Sequence, residues 1–524
     1  MSHKTDGFTF GYHSFVVAAI FRSDVMEDNK ANAVLRNEIN MSNLKGEMIK
    51  GVFWNAIEKY TGIVIGMMVS MVLARILTPK DYGTVAIVTV FTTFLGLFSS
   101  MGLAPAIIQR KDLTKSNLDS IYTYSILIAL FLGSILFFSS WGIASFYEDS
   151  KLVIITQVLT VPFFFSTINM VPGTLMVRDK RFKLIARRSL LLGVISAIIS
   201  VGAALLGAGL YSLIIAPLLT TPVVFFWNQY YYHLKIDRTF DIEPIKRVFS
   251  FSAYVFLFDF FNYFSRNLDK LIIGKFLNLS ALGIYEKSYR LMQLPMSNIT
   301  FVIHPVMQPV LRDFGEDHEE LGRKYAKIVK FITTLSFTLG FALYGLSAEC
   351  IHFFYGGRWD AAIPVFGILA LSIPLQMILS TSGPIYMVCN ASKMQFWLGV
   401  RNTVTTVAGF LIAAFAFGTI ESMAWAWTIT LFINFVFTYY LMYRYVLKIS
   451  ILPMLRELVK PAIIAMIVYA VILIFDFLGF KNDIVALIVK SVAAVVAFVL
   501  SVQLLHQYNI FMIINNEVKK IQKK

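Results

Sequence analysis

Apolar runs of about twenty residues, the length that crosses the hydrocarbon core of a bilayer, recur along this chain with short polar breaks between them. They predict membrane-spanning helices near 52–73, 83–103, 120–143, 152–176, 185–206, 209–232, 249–272, 284–310, 327–348, 361–386, 396–418, 421–443, 459–479 and 483–506, fourteen in all. The run at 284–310 is the weakest, because Glu286, Lys287 and Arg290 stand in its first turns. Charge placement favours keeping it. Lys and Arg collect in connections on the cytoplasmic side. Even-numbered connections hold Arg110, Lys111 and Lys115, then Arg178, Lys180, Arg181, Lys183, Arg187 and Arg188, and continue with Lys235, Arg238, Lys246 and Arg247. Later even-numbered connections hold Arg312, Arg323, Lys324 and Lys327, then Lys393, then Arg444, Lys448, Arg456 and Lys460. Odd-numbered connections hold only Arg75, Lys80, Lys151, Lys275, Arg358 and Lys481. Thirteen spans would reverse this bias after the seventh. Both termini are therefore expected inside, with Cys350 outside and Cys389 inside, unable to pair.

The break after span one reads "ARILTPKDYG" and that after span seven reads "GKFLNLSALG". Arg75, Leu77 and Gly83 recur as Lys275, Leu277 and Gly283, a shift of 200 residues and six spans. Six is even, so the two halves share one orientation. Two six-helix lobes related by an axis along the membrane normal are expected, a common transporter plan. Gly and Pro also punctuate turns without any duplication. Spans thirteen and fourteen have no counterpart and look appended.

Composition fits. The chain is 57% hydrophobic and 15% charged, against roughly 25% charge in soluble domains. The net charge of +15 lies in the short connections, which argues for membrane topology and against nucleic acid. Residues 1–40 lack helical periodicity; they are either a short cytoplasmic tail or lie upstream of a natural start at Met41 or Met48. The expected divisions are a tail at 1–47, a first lobe at 48–235, a second lobe at 236–447, the last two spans at 448–506 and a basic cytoplasmic tail at 507–524.

Ionisable residues at membrane depth cost about 2.5–3.5 kcal/mol on insertion scales and usually face a cavity or a partner. In span one, Glu58 and Lys59 either line a cavity or sit at the cytoplasmic interface. In span seven, Asp259, Asn262, Arg266 and Asp269 fall on one helical face, and Arg266 and Asp269 are spaced to pair. Span eight places Glu286, Arg290, Gln293 and Ser297 at helical spacing, with Arg290 about two turns in. Its guanidinium suits a diphosphate, which it can bind bidentately. Glu286, four residues away, is the competing partner. His304 reads as a hydrogen-bonded core residue, and a lone histidine supports no metal site. No phosphate-binding G-x-x-x-x-G-K-[ST] motif, no large external loop and no nucleophile–base pair is present. No enzyme activity, cofactor or metal is expected.

The stretches "LARILTPKDYG" and "NLDKLIIGKFLNLSALGIYEKSYRLMQLP", with fourteen spans, resemble the polysaccharide-exporter branch of the MATE-like (MOP) flippase superfamily. These are the Wzx-type flippases of lipid-linked oligosaccharides, in particular the colanic-acid and teichuronic-acid exporter group. The resemblance covers about residues 48–506. It implies a V-shaped pair of six-helix bundles around a cationic cavity, in the bacterial cytoplasmic (inner) membrane. It implies flipping of an undecaprenyl-diphosphate-linked repeat unit by alternating access, for O-antigen, capsule or exopolysaccharide. Arg290 matches a cavity arginine of related lipid II flippases; their other cavity arginines have no clear match here. The resemblance further implies a lipid-tail groove beside the last two helices and a drive by an ion gradient, H+ or Na+, or by membrane potential. A monomer working beside a polysaccharide polymerase and export machinery is expected. The competing reading is an ion-coupled small-molecule antiporter of the same fold. A membrane-embedded polymerase or glycosyltransferase would need an external catalytic loop.

Overall fold

The structure, a computed structural model, describes residues 31–100, 103–110, 112–237, 260, 263–264, 266–312, 314–315, 317–480 and 482–507. Among the described residues it is helical, with no strand. Helix α1 (Ala31–Ile76) runs unbroken for 46 residues. This corrects the expectation that residues 31–40 lack helical periodicity; residues 1–30 lie outside the described residues. From Ala31 to Lys50 eleven of twenty residues are Ala, Leu, Arg, Glu, Lys or Met and none is proline, a composition that permits a helix despite four asparagines and Gly46.

Helix α1 stops because Pro79 follows. The residue before a proline leaves the helical region, and Pro79 opens α2 (Pro79–Ser100) at its first position. The Thr78 hydroxyl accepts from the Asp81 amide (3.3 Å), while Asp81 Oδ2 accepts from the Thr78 amide (2.9 Å) and hydroxyl (2.7 Å). That reciprocal cap is written in "TPKD". Helices α3 (Leu103–Gln109) and α4 (Lys115–Tyr147) follow. Thr114 and Asn117 cap α4 in the same reciprocal way. Next come α5 (Lys151–Ile168), α6 (Met170–Arg178), α7 (Phe182–Leu205) and α8 (Ile215–Tyr232).

The second half begins, among the described residues, with a helical run that ends in a π turn at Ile273–Leu277. Helix α9 (Leu279–Arg312) starts on an Asn278 cap, whose Oδ1 accepts from the Ala281 amide at 2.8 Å. Helices α10 (His318–Gly345) and α11 (Ser347–Phe354) follow. The tenth expected span is broken into α12 (Ala362–Ala370), α13 (Ile373–Ser380) and α14 (Ser382–Val388). Pro374 and Pro384, near the starts of the last two pieces, lack the amide hydrogen needed to continue the preceding helix. Helices α15 (Ser392–Ile412), α16 (Ile420–Leu441), α17 (Leu452–Asp476) and α18 (Asp483–Leu504) complete the chain.

Among the described residues, twelve helical stretches are long and apolar enough to cross a membrane. They coincide with twelve of the expected spans. The eighth expected span is α9, a 34-residue helix that is not among those twelve; it carries Glu286, Lys287 and Arg290 in its first turns and Gln293, Ser297, Asn298 and His304 beyond them. The seventh lies mostly outside the described residues. Bulky apolar side chains such as Phe131, Phe138 and Leu206 point outward, an exposure a bilayer accommodates and water does not. Both cysteines are free.

Within the first half α1 packs on α7, and α5 on α2 and α4. Within the second half α9 packs on α12, α15 on α16, and α17 lies along α10. Among the described residues, the largest contact between the halves is α2 against α9. It is set by two glycines. A Cβ on Gly83 would lie 1.7 Å from the Leu279 carbonyl oxygen, and one on Gly283 would lie 1.9 Å from that of Pro79. Each glycine of the sequence repeat thus rests on the first residue of the other helix, 200 positions from its own counterpart. Only glycine permits so close an approach.

Candidate functional site

A cavity of about 350 Å³ opens between α1, α7 and α9. On α1 it runs from Glu58 past Gly62 and Gly66 to Ser70, a path of about 18 Å at 1.5 Å per residue. Gly193, Ser196 and Ser200 of α7 form the facing wall. A Cβ on Gly62 or Gly66 would meet nothing within 4 Å, so glycine here keeps space open and does not serve close packing. Leucine at Gly66 should therefore fold normally, since it removes a helix-interior glycine worth about 1 kcal/mol. It should still block transport by filling the cavity. Normal membrane level with lost export is the expected result; normal export would show that this space is not the path.

Helix α9 closes one end with Lys287 and Arg290. Because the helix starts at Leu279, Arg290 lies about three turns in, one turn deeper than its sequence position implies. Its side chain is exposed to the cavity, and it makes no hydrogen bond or ion pair among the described residues. The expected competitor is occupied: Glu286 pairs with Lys270 of the preceding helical run at 2.8 Å. Gln293 also turns away, its amide donating to the Tyr289 hydroxyl at 2.9 Å.

Span seven behaves differently from its pattern. Asp259 and Asn262 lie outside the described residues. Asp269 is fully buried and accepts from the Lys270 amide at 2.8 Å, while Arg266 is exposed. The expected pairing of Arg266 with Asp269 is not made among the described residues. Three residues apart on a helix leaves an angle of about 60°, enough here to turn Asp269 into the packing and leave Arg266 outside it. Glu58 lines the cavity; Lys59, one residue on, does not.

Four buried or half-buried cations escape the sequence reading. Arg188, counted there as a loop charge, lies inside α7 and is 8% exposed. Its Nη1 donates to Asn228 Oδ1, and Asn228 donates to Asn169 Oδ1 at 2.8 Å. Glu58 across the groove supplies opposite charge, which makes it a countercharge as well as a lining residue. The signal was available: Arg188, Leu192, Ser196, Ser200 and Ala204 form a buried row at steps of four. Lys287 is also buried, with Nζ 2.6 Å from Ser70 Oγ. Lys490, the lone charge midway along α18, contacts Glu349 and Asp476. Arg401 of α15 packs 3.8 Å over the Phe437 ring and donates to Asn402.

The end of the bundle where α1 and α4 finish is sealed by contacts between the halves. Arg75 donates to the Phe353 carbonyl (3.0 Å) at the end of α11, and the Trp359 indole donates to the Ala74 carbonyl (2.8 Å) at the end of α1. Lys275 donates to the Phe146 carbonyl (2.7 Å) at the end of α4 and pairs with Glu148 (3.1 Å). These groups meet the free carbonyls and negative ends of helices. The basic residues of the two repeat motifs therefore do matching work, each gripping a helix end in the opposite half.

The family model described as polysaccharide biosynthesis protein matches residues 72–364. The chain is 24% identical over 427 residues to the teichuronic acid biosynthesis protein TuaB of Bacillus subtilis (strain 168), across 81% of this chain and 88% of that protein. The solved structure of the lipid II flippase MurJ in an inward closed conformation matches with a TM-score of 0.66 and 15% identity, covering 87% of this chain and 99% of that one. An inward-facing multidrug resistance MATE family transporter of the MOP superfamily matches with a TM-score of 0.58 and 15% identity, covering 76% and 99%. The two structures speak for the fold, the family model for kinship. This multi-pass membrane chain belongs to the polysaccharide biosynthesis protein family and has the fold of MOP-superfamily transporters.

Proposed function

We propose that the chain flips an undecaprenyl-diphosphate-linked oligosaccharide from the inner to the outer leaflet of the bacterial cytoplasmic membrane, for surface polysaccharide. The observation that carries this is the cavity. Two cations, Lys287 and Arg290, stand at one end, and serine hydroxyls and open glycines line the length below them. A diphosphate wants cations and a glycan wants hydroxyl partners and room. The charge bias assigns the sealed end to the outside and both termini to the cytoplasm. The cavity is then loaded from within, and alternating access exchanges which end is closed. The matched caps at Thr78 and Asn278, the crossed glycines and the matched grips of Arg75 and Lys275 support two lobes built on one plan. A small-molecule antiporter for organic cations is disfavoured by the same two cations. An H+ or Na+ gradient is a compatible drive.

Arg290 tests the reading. In a strain lacking the gene, Arg290→Ala should lower export about tenfold or more, the effect of losing a charged hydrogen bond of about 1.5–3 kcal/mol. Arg290→Lys should restore only part, because an ammonium lacks the planar fork. Removing Glu286 together with Arg290 should not rescue, since Glu286 answers Lys270. Wild-type export by Arg290→Ala at normal protein level would remove the guanidinium from the mechanism.

A further inference from the structure

Lys287 is the most enclosed cation facing the cavity, and its surroundings do not match its charge. It is 4% exposed. Its Nζ lies 2.6 Å from Ser70 Oγ, 3.8 Å from the centre of the Tyr82 ring and 5.0 Å from that of Tyr355. None of these is an anion. The adjacent Glu286 is committed to Lys270. Ring faces and one hydroxyl attract an ammonium, but they replace only part of the hydration lost on burial. The Tyr82 hydroxyl, which also belongs to the cavity wall, is buried without a hydrogen-bond partner among the described residues. Lys287 and Arg290 are three residues apart on one helix and so share a face.

We infer that Lys287 is a second phosphate-binding cation, which together with Arg290 selects a diphosphate-linked over a monophosphate-linked polyprenyl carrier. The inference rests on the flippase reading. Arg290, exposed in the cavity, takes the first phosphate. The second phosphate draws Lys287 from Ser70 and from the tyrosine rings, with the Tyr82 hydroxyl as a further donor. A monophosphate satisfies Arg290 alone and leaves Lys287 where it is. Selectivity then comes from a cation that only the longer anion reaches.

The test compares undecaprenyl diphosphate with undecaprenyl phosphate binding to the purified full-length chain, by native mass spectrometry and by the shift each lipid gives in thermal midpoint. Wild type should prefer the diphosphate by about tenfold, the scale of one charge-assisted hydrogen bond. Lys287→Met and Lys287→Gln should abolish that preference and leave monophosphate binding unchanged. Two variants are used because methionine removes an unbalanced buried charge at little cost to folding, while glutamine keeps a donor. A merely structural lysine would change stability or weaken both lipids alike, and its ratio would stay at the wild-type value. An unchanged ratio in a folded variant overturns the assignment of Lys287 and spares the flippase reading. Failure of wild type to bind either lipid overturns both.

Discussion

Replacing Gly83 with alanine should disable the protein. The new Cβ would lie 1.7 Å from the Leu279 carbonyl oxygen and 2.6 Å from its carbon. Those are backbone atoms of α9, with no rotamer to give way. Contact at normal separation would need α2 and α9 to part by more than an ångström, and this is the main junction between the halves. Overpacking typically costs about 1–3 kcal/mol and occasionally more. A helix-on-helix crossing belongs at the upper end. Gly283→Ala should act alike, since its Cβ would meet the Pro79 carbonyl oxygen at 1.9 Å. The two changes should not add. Once one has separated the helices, the second meets open space, so the double variant should be hardly worse than either single. Gly96→Ala, on the same helix and away from the cavity, is the control, with nothing within 4 Å of its Cβ. Export and membrane protein level read the result. Wild-type values for Gly83→Ala would mean that the crossing is not kept in the working protein.

The second large effect concerns α18. Lys490 meets Glu349 of α11 and Asp476 of α17, with side-chain exposures of 6%, 10% and 43%. Losing one member of a buried charge pair costs about 3–5 kcal/mol, because the partner stays buried and unmatched. Lys490→Ala should fall near the lower figure, since Asp476 can turn to solvent and Glu349 cannot. It should reduce accumulation and heat stability, chiefly by loosening the last two helices. The double change Lys490→Met with Glu349→Gln should recover most of the loss, because apolar or neutral replacement of a buried pair is often neutral. If the single variant is as stable as wild type by thermal unfolding in detergent, the cluster is better hydrated than its burial implies.

The spans were legible because a bilayer imposes a length and composition that survive single-sequence reading. The motif at 75–83 and 275–283 was legible as a repeat, but its purpose was not. A glycine in a loop-like phrase reads as a turn, and only packing shows that Gly83 and Gly283 cross. Arg290 stood out by depth, and the structure does bring it to the cavity. The span-seven stripe misled because spacing tells which residues share a helix face and not which way that face is turned. Asp269 went inward and Arg266 did not. Lys287 was hidden beside Glu286, in a charged turn whose carboxylate answers Lys270 from another helix. Arg188 was masked by the positive-inside rule, which cannot separate a loop arginine from one more than a turn inside its helix. Lys490 needed only the depth argument already applied to span eight.

Flipping itself is the central claim. Purified protein would be reconstituted into vesicles carrying a fluorescent undecaprenyl-diphosphate-linked oligosaccharide in both leaflets. A membrane-impermeant quencher would then be added outside. The account predicts that protein-free vesicles lose only the outer-leaflet signal, that wild-type vesicles lose nearly all of it, and that Arg290→Ala vesicles lose the inner-leaflet signal about tenfold or more slowly than wild type. A protected inner-leaflet pool in wild-type vesicles, under an applied ion gradient and membrane potential, would contradict it.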